Sequence, residues 1–249
     1  MKLAKVKLDI FHNTAVISLN NPTKLNAWDF SMRKKIYEII QYCKKNKKIK
    51  SVIITGSGNK SFCSGQDLNE ISNNVNVDKW IDSFKKVYYA IRSLEKPVLA
   101  CVNGVAAGSG FQLALLADII VTHKNARFGQ VEINNGIASV TGPAIMKIFL
   151  GMSKTIELTL TGKLINGLEA FKLGFIHKLV SQKKVFSTTL QFAKELEKKS
   201  SHAMLLTKKN FWQMMKKDFD SAFAEAKKIH RVTFKKKTSQ QMIKKFLNS

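Results

Sequence analysis

Glu132 is a carboxylate set among neutral neighbours, in Phe128-Gly129-Gln130-Val131-Glu132-Ile133. Upstream lies a small-residue run, Ala106-Ala107-Gly108-Ser109-Gly110, which leads into the apolar stretch of residues 111–117 with one polar break at Gln112. These residue types can do acid–base chemistry. A carboxylate can take a proton and return it. A glycine-rich turn that opens a helix presents N–H groups with no partner inside that helix, and such groups attract negative charge. They can hold a phosphate, or an oxygen that becomes negative during a reaction. On spacing alone, a close-packed turn with no ligand is the favoured reading.

The elements around these residues must position them. Residues 98–102 form a β-like run, and Asn103-Gly104 is a turn signal. The glycine-rich turn and a buried helix over 111–117 follow, then a strand over 118–122 and the loop that carries Glu132. Earlier in the chain, residues 5–10 and 14–19 alternate apolar and polar around Phe11-His12-Asn13, which predicts a hairpin with His12 exposed at its turn. Asn26 is placed to cap a helix from Ala27 to about Lys45. Residues 52–55 predict a short buried strand, and 69–78 a polar lid. Trp80, Phe84, Val87 and Ile91 recur at one-turn intervals, which predicts a helix over 79–94 with that stripe facing the core. Gly142-Pro143 starts another helix, and Ser153 can cap the next. From Gln182 onward the chain is lysine-rich and helical, with apolar stripes such as Phe186, Leu190, Phe192 and Leu196.

Residues 97–142 resemble the central segment of the enoyl-CoA hydratase/isomerase (crotonase) superfamily. The resemblance rests on Lys96-Pro97, Asn103-Gly104, Gly108-Ser109-Gly110, Asp118-Ile119-Ile120 and Phe128-Gly129-Gln130-Val131-Glu132. A second block, Ser61-Phe62-Cys63-Ser64-Gly65-Gln66-Asp67-Leu68, is similar to the family's Phe-Cys-x-Gly-x-Asp-Leu motif. A third, Asn20-Asn21-Pro22-Thr23-Lys24-Leu25-Asn26-Ala27, resembles its Asn-x-Pro-x-x-x-Asn-Ala loop. The likeness runs from about Leu3 to the C-terminal helices.

It implies an α/β fold, a crotonase-like spiral of ββα units. A core over residues 1–182 would carry the CoA site and active site, and a C-terminal helical segment over 183–249 would complete a homotrimer or a dimer of trimers. It implies an acyl-CoA thioester substrate, with coenzyme A as part of the substrate and no separate cofactor or metal. The backbone N–H groups of Gln66 and Ser109 would hold the thioester oxygen. Lys24, Leu25, Ala27, Ser64, Gln66, Asp67, Leu68 and Phe246 would contact CoA. The hydratase branch shares a water between two glutamates. Here the first position is Gln112 and the second is Glu132, so catalysis falls to Glu132 with Gln112 beside it. A neutral amide can hydrogen-bond a water but cannot take its proton. The single-glutamate pattern resembles the isomerase branch, which shifts the double bond of a 3-enoyl-CoA to 2-enoyl-CoA through an enolate. Burial among Phe128, Ile133 and Ile137 would raise the Glu132 pKa and suit it to that task. Val140, at a place where hydratases commonly have glycine, and Ser139, in place of a common proline, also lean away from hydration. An enoyl-CoA hydratase of fatty-acid β-oxidation and a non-catalytic CoA-binding scaffold are the alternatives. His177 carries no catalytic role in this reading.

Composition bounds the rest. At 249 residues with 45% apolar content, the chain can bury a sizeable core. Cys43, Cys63 and Cys101 are widely separated, without metal-type spacing, which fits a reducing, cytoplasmic compartment. Residues 97–117 lack charge for long enough to raise a membrane-spanning reading. Asn103, three glycines, Ser109 and Gln112 within that stretch argue for a strand plus a buried helix and against membrane insertion. The net charge is +25. Only Arg33, Arg92, Arg127 and Arg231 are arginines among the 42 basic residues, which leaves 38 lysines. Nucleic-acid readers favour arginine for bidentate contacts, so the lysine excess reads as a solvated surface whose field attracts the phosphates of CoA, and a nucleic-acid partner is not expected.

Overall fold

The computed structural model describes residues 4–71, 76–235 and 241. Strands β1 (Val6–Phe11) and β2 (Thr14–Leu19) form the expected antiparallel hairpin. His12 at its turn is exposed with a φ of 55°. A turn over Pro22–Lys24 leads to helix α1 (Phe30–Lys45). Its N-cap is Asp29, whose carboxylate accepts the Met32 N–H at 2.9 Å. The expectation that Asn26 caps this helix is therefore corrected. Asn26 is buried in left-handed backbone, and its amide donates to the carbonyls of Ser57 and Ser61 at 3.0 and 2.8 Å. Its side chain satisfies two carbonyls, of which that of Ser61 is buried and unmet would cost about 1–3 kcal/mol.

From here the chain repeats one plan. Strands β3 (Ser51–Gly56) and β4 (Ser61–Cys63) precede α2 (Val77–Arg92). Strands β5 (Val98–Cys101) and β6 (Val105–Ala107) precede α3 (Ser109–Leu115). Strands β7 (Ile119–His123) and β8 (Arg127–Gly129) precede α4 (Thr141–Thr161). The long strand of each pair joins one sheet and the short strand another. The first sheet runs β1-β2-β3-β5-β7-β10, and the second β4-β6-β8-β9. Strand β9 (Ile165–Asn166), α5 (Gly167–Lys172) and β10 (Lys178–Val180) close the repeat. This is the ββα spiral. It is also why β3 reads as an unbroken apolar run: a parallel strand covered on both faces has no solvent side to alternate with.

Helix α2 buries Trp80, Phe84, Val87 and Ile91, the stripe read from spacing. Each such side chain contributes roughly 1.5–3 kcal/mol by leaving water. Arg33 of α1 is buried against it, donating to Ser83 Oγ at 2.8 Å and to Glu70 Oε2 at 2.8 Å, with its guanidinium 4.2 Å above the Phe84 ring. Helix α4 begins at Thr141 and breaks at Gly151, which holds a φ of 70° just before Ser153. Helix α6 (Val185–Glu197) covers β3, β5 and β7, while α7 (Ser201–Lys235) lies along α2 and α4. Residues 97–117 divide among β5, β6 and α3, and no helix among the described residues is long and apolar enough to cross a membrane.

Candidate active site

Strands β4, β6 and β8 are parallel neighbours in the second sheet. Adjacent strands lie about 4.8 Å apart, so segments that leave their C-terminal ends emerge side by side. Those segments carry Gln66 after β4, Ser109 after β6 and Glu132 after β8. The repeat thus brings residues far apart in sequence to one edge, where they line a cavity of about 680 Å³. Lys24, Leu25, Ala27, Ser64, Asp67, Leu68 and Gln112 line it too. Phe246 lies outside the described residues.

Two glycines shape the backbone there. Gly65 holds a φ of 109°, and a Cβ on it would come within 2.9 Å of the Ala107 carbonyl and 3.7 Å of the Ser109 nitrogen. Gly108 holds a φ of 54° and ψ of −128°, and a Cβ there would lie 3.1 Å from Glu132 Oε1. These conformations suit glycine alone. They set the peptides that end in the Gln66 and Ser109 N–H groups next to one another. Around Gln66, the Trp28 N–H donates to the Gly65 carbonyl and the Asp67 N–H to the Trp28 carbonyl, stepping over the Gln66 N–H. Ser109 opens α3, so its N–H has no acceptor within the helix. Trp28, fully buried, donates its indole N–H to Ser109 Oγ at 2.8 Å and fixes that corner.

Glu132 begins a short 3-10 turn, Glu132–Asn135. Burial pushes its pKa up to about 7, with hydrogen bonds from its own backbone, Ser139 and Gln130 pulling weakly the other way. Its Oε2 is buried without a partner. Of the apolar side chains expected around it, Ile137 lines the cavity, Ile133 is exposed, and Phe128 packs with Phe111 and Phe175 in the core. The groups close to the carboxylate are Gly108, Gln112, Ser139 and Gln130.

Gln112 donates from Nε2 to Glu132 Oε1 at 3.4 Å. The Tyr88 hydroxyl donates to Gln112 Oε1 at 2.9 Å, and the Thr141 hydroxyl at 3.0 Å. Burial, and then the Glu132 charge, drive the Tyr88 pKa well above 10, so it stays a donor. Two hydroxyl donors on Oε1 turn the amide nitrogen toward Glu132. Tyr88, Thr141 and Trp28 are absent from the sequence reading. Tyr88 and Trp28 are aromatic residues within apolar helical or loop patterns, which give no sign that a polar tip is engaged. Val140 and Ser139 line the cavity, and the Gln130 amide lies 3.4 Å from Ser139 Oγ.

At the outer end, Lys24 pairs with Asp67 at 2.7 Å while remaining half exposed. Burial would raise the Asp67 pKa, but hydrogen bonds from Lys24 and Asn69 outweigh it and hold the carboxyl below its ordinary value. His177 Nδ1 accepts the Ile120 N–H at 3.1 Å, a structural contact away from the cavity. The three cysteines are free and buried, and burial pushes the Cys63 thiol up to about 12. No cluster of metal-ligating side chains occurs among the described residues.

Comparison with known proteins agrees with this geometry. A short-chain-enoyl-CoA hydratase of Clostridium acetobutylicum is 32% identical over 227 residues, covering 90% of this chain and 87% of that protein. A crotonyl-CoA hydratase of Syntrophomonas wolfei is 30% identical over the same shares of the two chains. The crystal structure of an enoyl-CoA hydratase/isomerase from Mycobacterium paratuberculosis superposes with a TM-score of 0.90, at 22% identity, over 97% of this chain and 98% of that one. The enoyl-CoA hydratase/isomerase family model matches residues 9–249, and the chain belongs to that family of enzymes.

Proposed function

We propose that the protein is an enoyl-CoA isomerase that moves a 3-enoyl thioester double bond into conjugation, with Glu132 as its base. The observation that carries this reading is the partner of Glu132: an amide nitrogen at 3.4 Å, where a second carboxylate would be needed to share a water. Glu132 removes a proton from C2, and the electron pair spreads over the thioester oxygen and C4. The N–H groups of Gln66 and Ser109 receive the charge on that oxygen, a type of contact worth several kcal/mol. Glu132 then returns the proton at C4. A carboxylate with a pKa of about 7 is matched to both halves of that cycle near neutral pH. Lys24, Leu25, Ala27, Ser64, Asp67 and Leu68 would hold the CoA portion, with Lys24 exchanging part of its Asp67 contact for a phosphate.

Hydration is the second reading, favoured by the names of the relatives from Clostridium acetobutylicum and Syntrophomonas wolfei. In it, Gln112 orients the water and Glu132 alone takes its proton. The two are separated by supplying 3-enoyl-CoA and 2-enoyl-CoA and following conjugated-thioester absorbance. A gain with the first supports isomerisation. A loss with the second and silence with the first would overturn it in favour of hydration. Silence with both, despite CoA binding, would favour a scaffold. A homotrimer belongs to the same proposal. The exposed apolar residues Ile148, Met152, Ile156 and Leu160 of α4, with Phe171 of α5, support a buried contact between copies. Three free, buried thiols fit a cytoplasmic setting.

A further inference from the structure

The two main-chain donors of the site come from different segments, and each is flanked by glycine. Gln66 follows Gly65, and Ser109 lies between Gly108 and Gly110. Glycine leaves such peptides free to turn, whereas an oxyanion is held well only by donors fixed at about 2.7–3.1 Å from where it forms. A contact outside the two segments must restrain both. Trp28 reaches each of them. It pairs with Gln66 as a parallel bridge: its N–H donates to the Gly65 carbonyl at 3.0 Å, and its carbonyl accepts the Asp67 N–H at 3.1 Å. Its indole N–H donates to Ser109 Oγ at 2.8 Å. The main chain of Trp28 therefore holds one donor segment and its ring holds the other.

Trp28 is itself immobilised. It is fully buried and does not line the cavity. Arg33 donates to its carbonyl at 3.2 Å. Its ring meets Phe84 edge-on at 5.6 Å and stacks on Tyr88 at 6.4 Å. An indole N–H is only a donor, so Ser109 Oγ is the acceptor of the pair, and a phenyl ring in place of the indole cannot make the bond. We infer that Trp28 is a positioning residue of the oxyanion site, setting the separation of the Gln66 and Ser109 N–H groups and so the strength with which they hold an enolate oxygen. This rests on the acyl-CoA reading above and adds to it a residue that touches no substrate.

The test reads the oxyanion site without turnover. A 3-ketoacyl-CoA ionises to an enolate with its own ultraviolet absorbance, so a pH titration of the bound ligand reports how well the site holds negative oxygen. The parent should ionise the bound thioester at lower pH than it ionises in solution. Trp28→Phe keeps a packed ring without the N–H, and should raise the bound pKa by about one unit, a tenfold loss of enolate stabilisation. Ser109→Ala removes the acceptor and keeps the main-chain N–H, and should give a similar rise. The double variant should be no worse than the larger single effect, because both changes delete one shared bond. Calorimetry with a saturated acyl-CoA, which forms no enolate, should show affinity unchanged within about twofold, an outcome that general loosening of the site would not give. Thermal melting verifies folding, and if Trp28→Phe does not fold, Ser109→Ala alone decides. An unmoved bound pKa in the folded single variants overturns the inference and leaves the acyl-CoA reading intact, and additive rises in the double variant also overturn it. A parent that binds the ligand without favouring its enolate overturns both.

Discussion

Replacing Gln112 with glutamate sets a second carboxylate against the first. The amide nitrogen it removes lies 3.4 Å from Glu132 Oε1. Two unit charges at that distance repel by about 5 kcal/mol at an effective dielectric constant of 20, or roughly 3.5 pKa units of separation. The Tyr88 and Thr141 hydroxyls already donate to the Oε1 position, and they would favour the ionised form of the new side chain. Glu132, raised to about 7 by burial before any repulsion, would keep the shared proton. The pair would therefore lose its first proton below pH 7 and its second well above it, as macroscopic steps of the pair. A singly protonated pair holds an acid and a base together, which is what addition of water needs. The assay is the pH profile of kcat/KM with 2-enoyl-CoA. The parent should show at most a rising limb near pH 7. Gln112→Glu should give greater hydration and a bell with limbs roughly 3.5 units apart. A single limb still centred near 7 would refute the charge coupling, and hence the reading of Gln112 as the immediate neighbour of the base.

Other expectations can be checked together. Glu132→Gln should lower turnover of either substrate by about a thousandfold or more, and unchanged turnover would remove Glu132 from the chemistry. The same variant alters stability against pH. The folded pKa of about 7 lies above the ordinary 4.5, so the native state binds the extra proton. That stabilising contribution is full below about 4.5 and is lost as pH rises through 7, an effect of about 2–3 kcal/mol. Glu132→Gln should therefore gain Tm relative to the parent between pH 4 and pH 8, by roughly 4–10 °C. Gly108→Ala forces a side chain into a positive-φ backbone and against Glu132, and should cost about 1–3 kcal/mol in chemical denaturation with a fall in kcat. Arg33→Met strands Glu70 and Ser83 and should destabilise by about 3–5 kcal/mol in the same measurement.

Much of this was legible in the residues themselves. The hairpin and the α2 stripe follow from local periodicity and turn residues, which act over one element at a time, whereas the ββα order was legible only through the family resemblance. Glu132 and the glycines around Ser109 stood out because a lone acid and clustered glycines violate the pattern of their surroundings, while Gly65 and Gln66 were legible only through the family motif. The start of α1 was misplaced because Asn26 and Asp29 are both competent caps, and only tertiary demand for the Asn26 amide decides between them. Tyr88 and Thr141 meet Gln112 across 24 and 29 residues of chain, a pairing that no window of local sequence contains. The place of His230 in the cavity wall was invisible for the same reason, since it depends on which helix α7 lies against.

Helix α7 is the last long element among the described residues, yet its Phe223 rests 5.7 Å from the Tyr88 ring that steadies Gln112. A growing chain thus holds its acid, its glycine turns and both sheets before it owns the far side of its own binding chamber. Until α7 docks on α2 and α4, the chamber is an open shelf instead of an enclosed room.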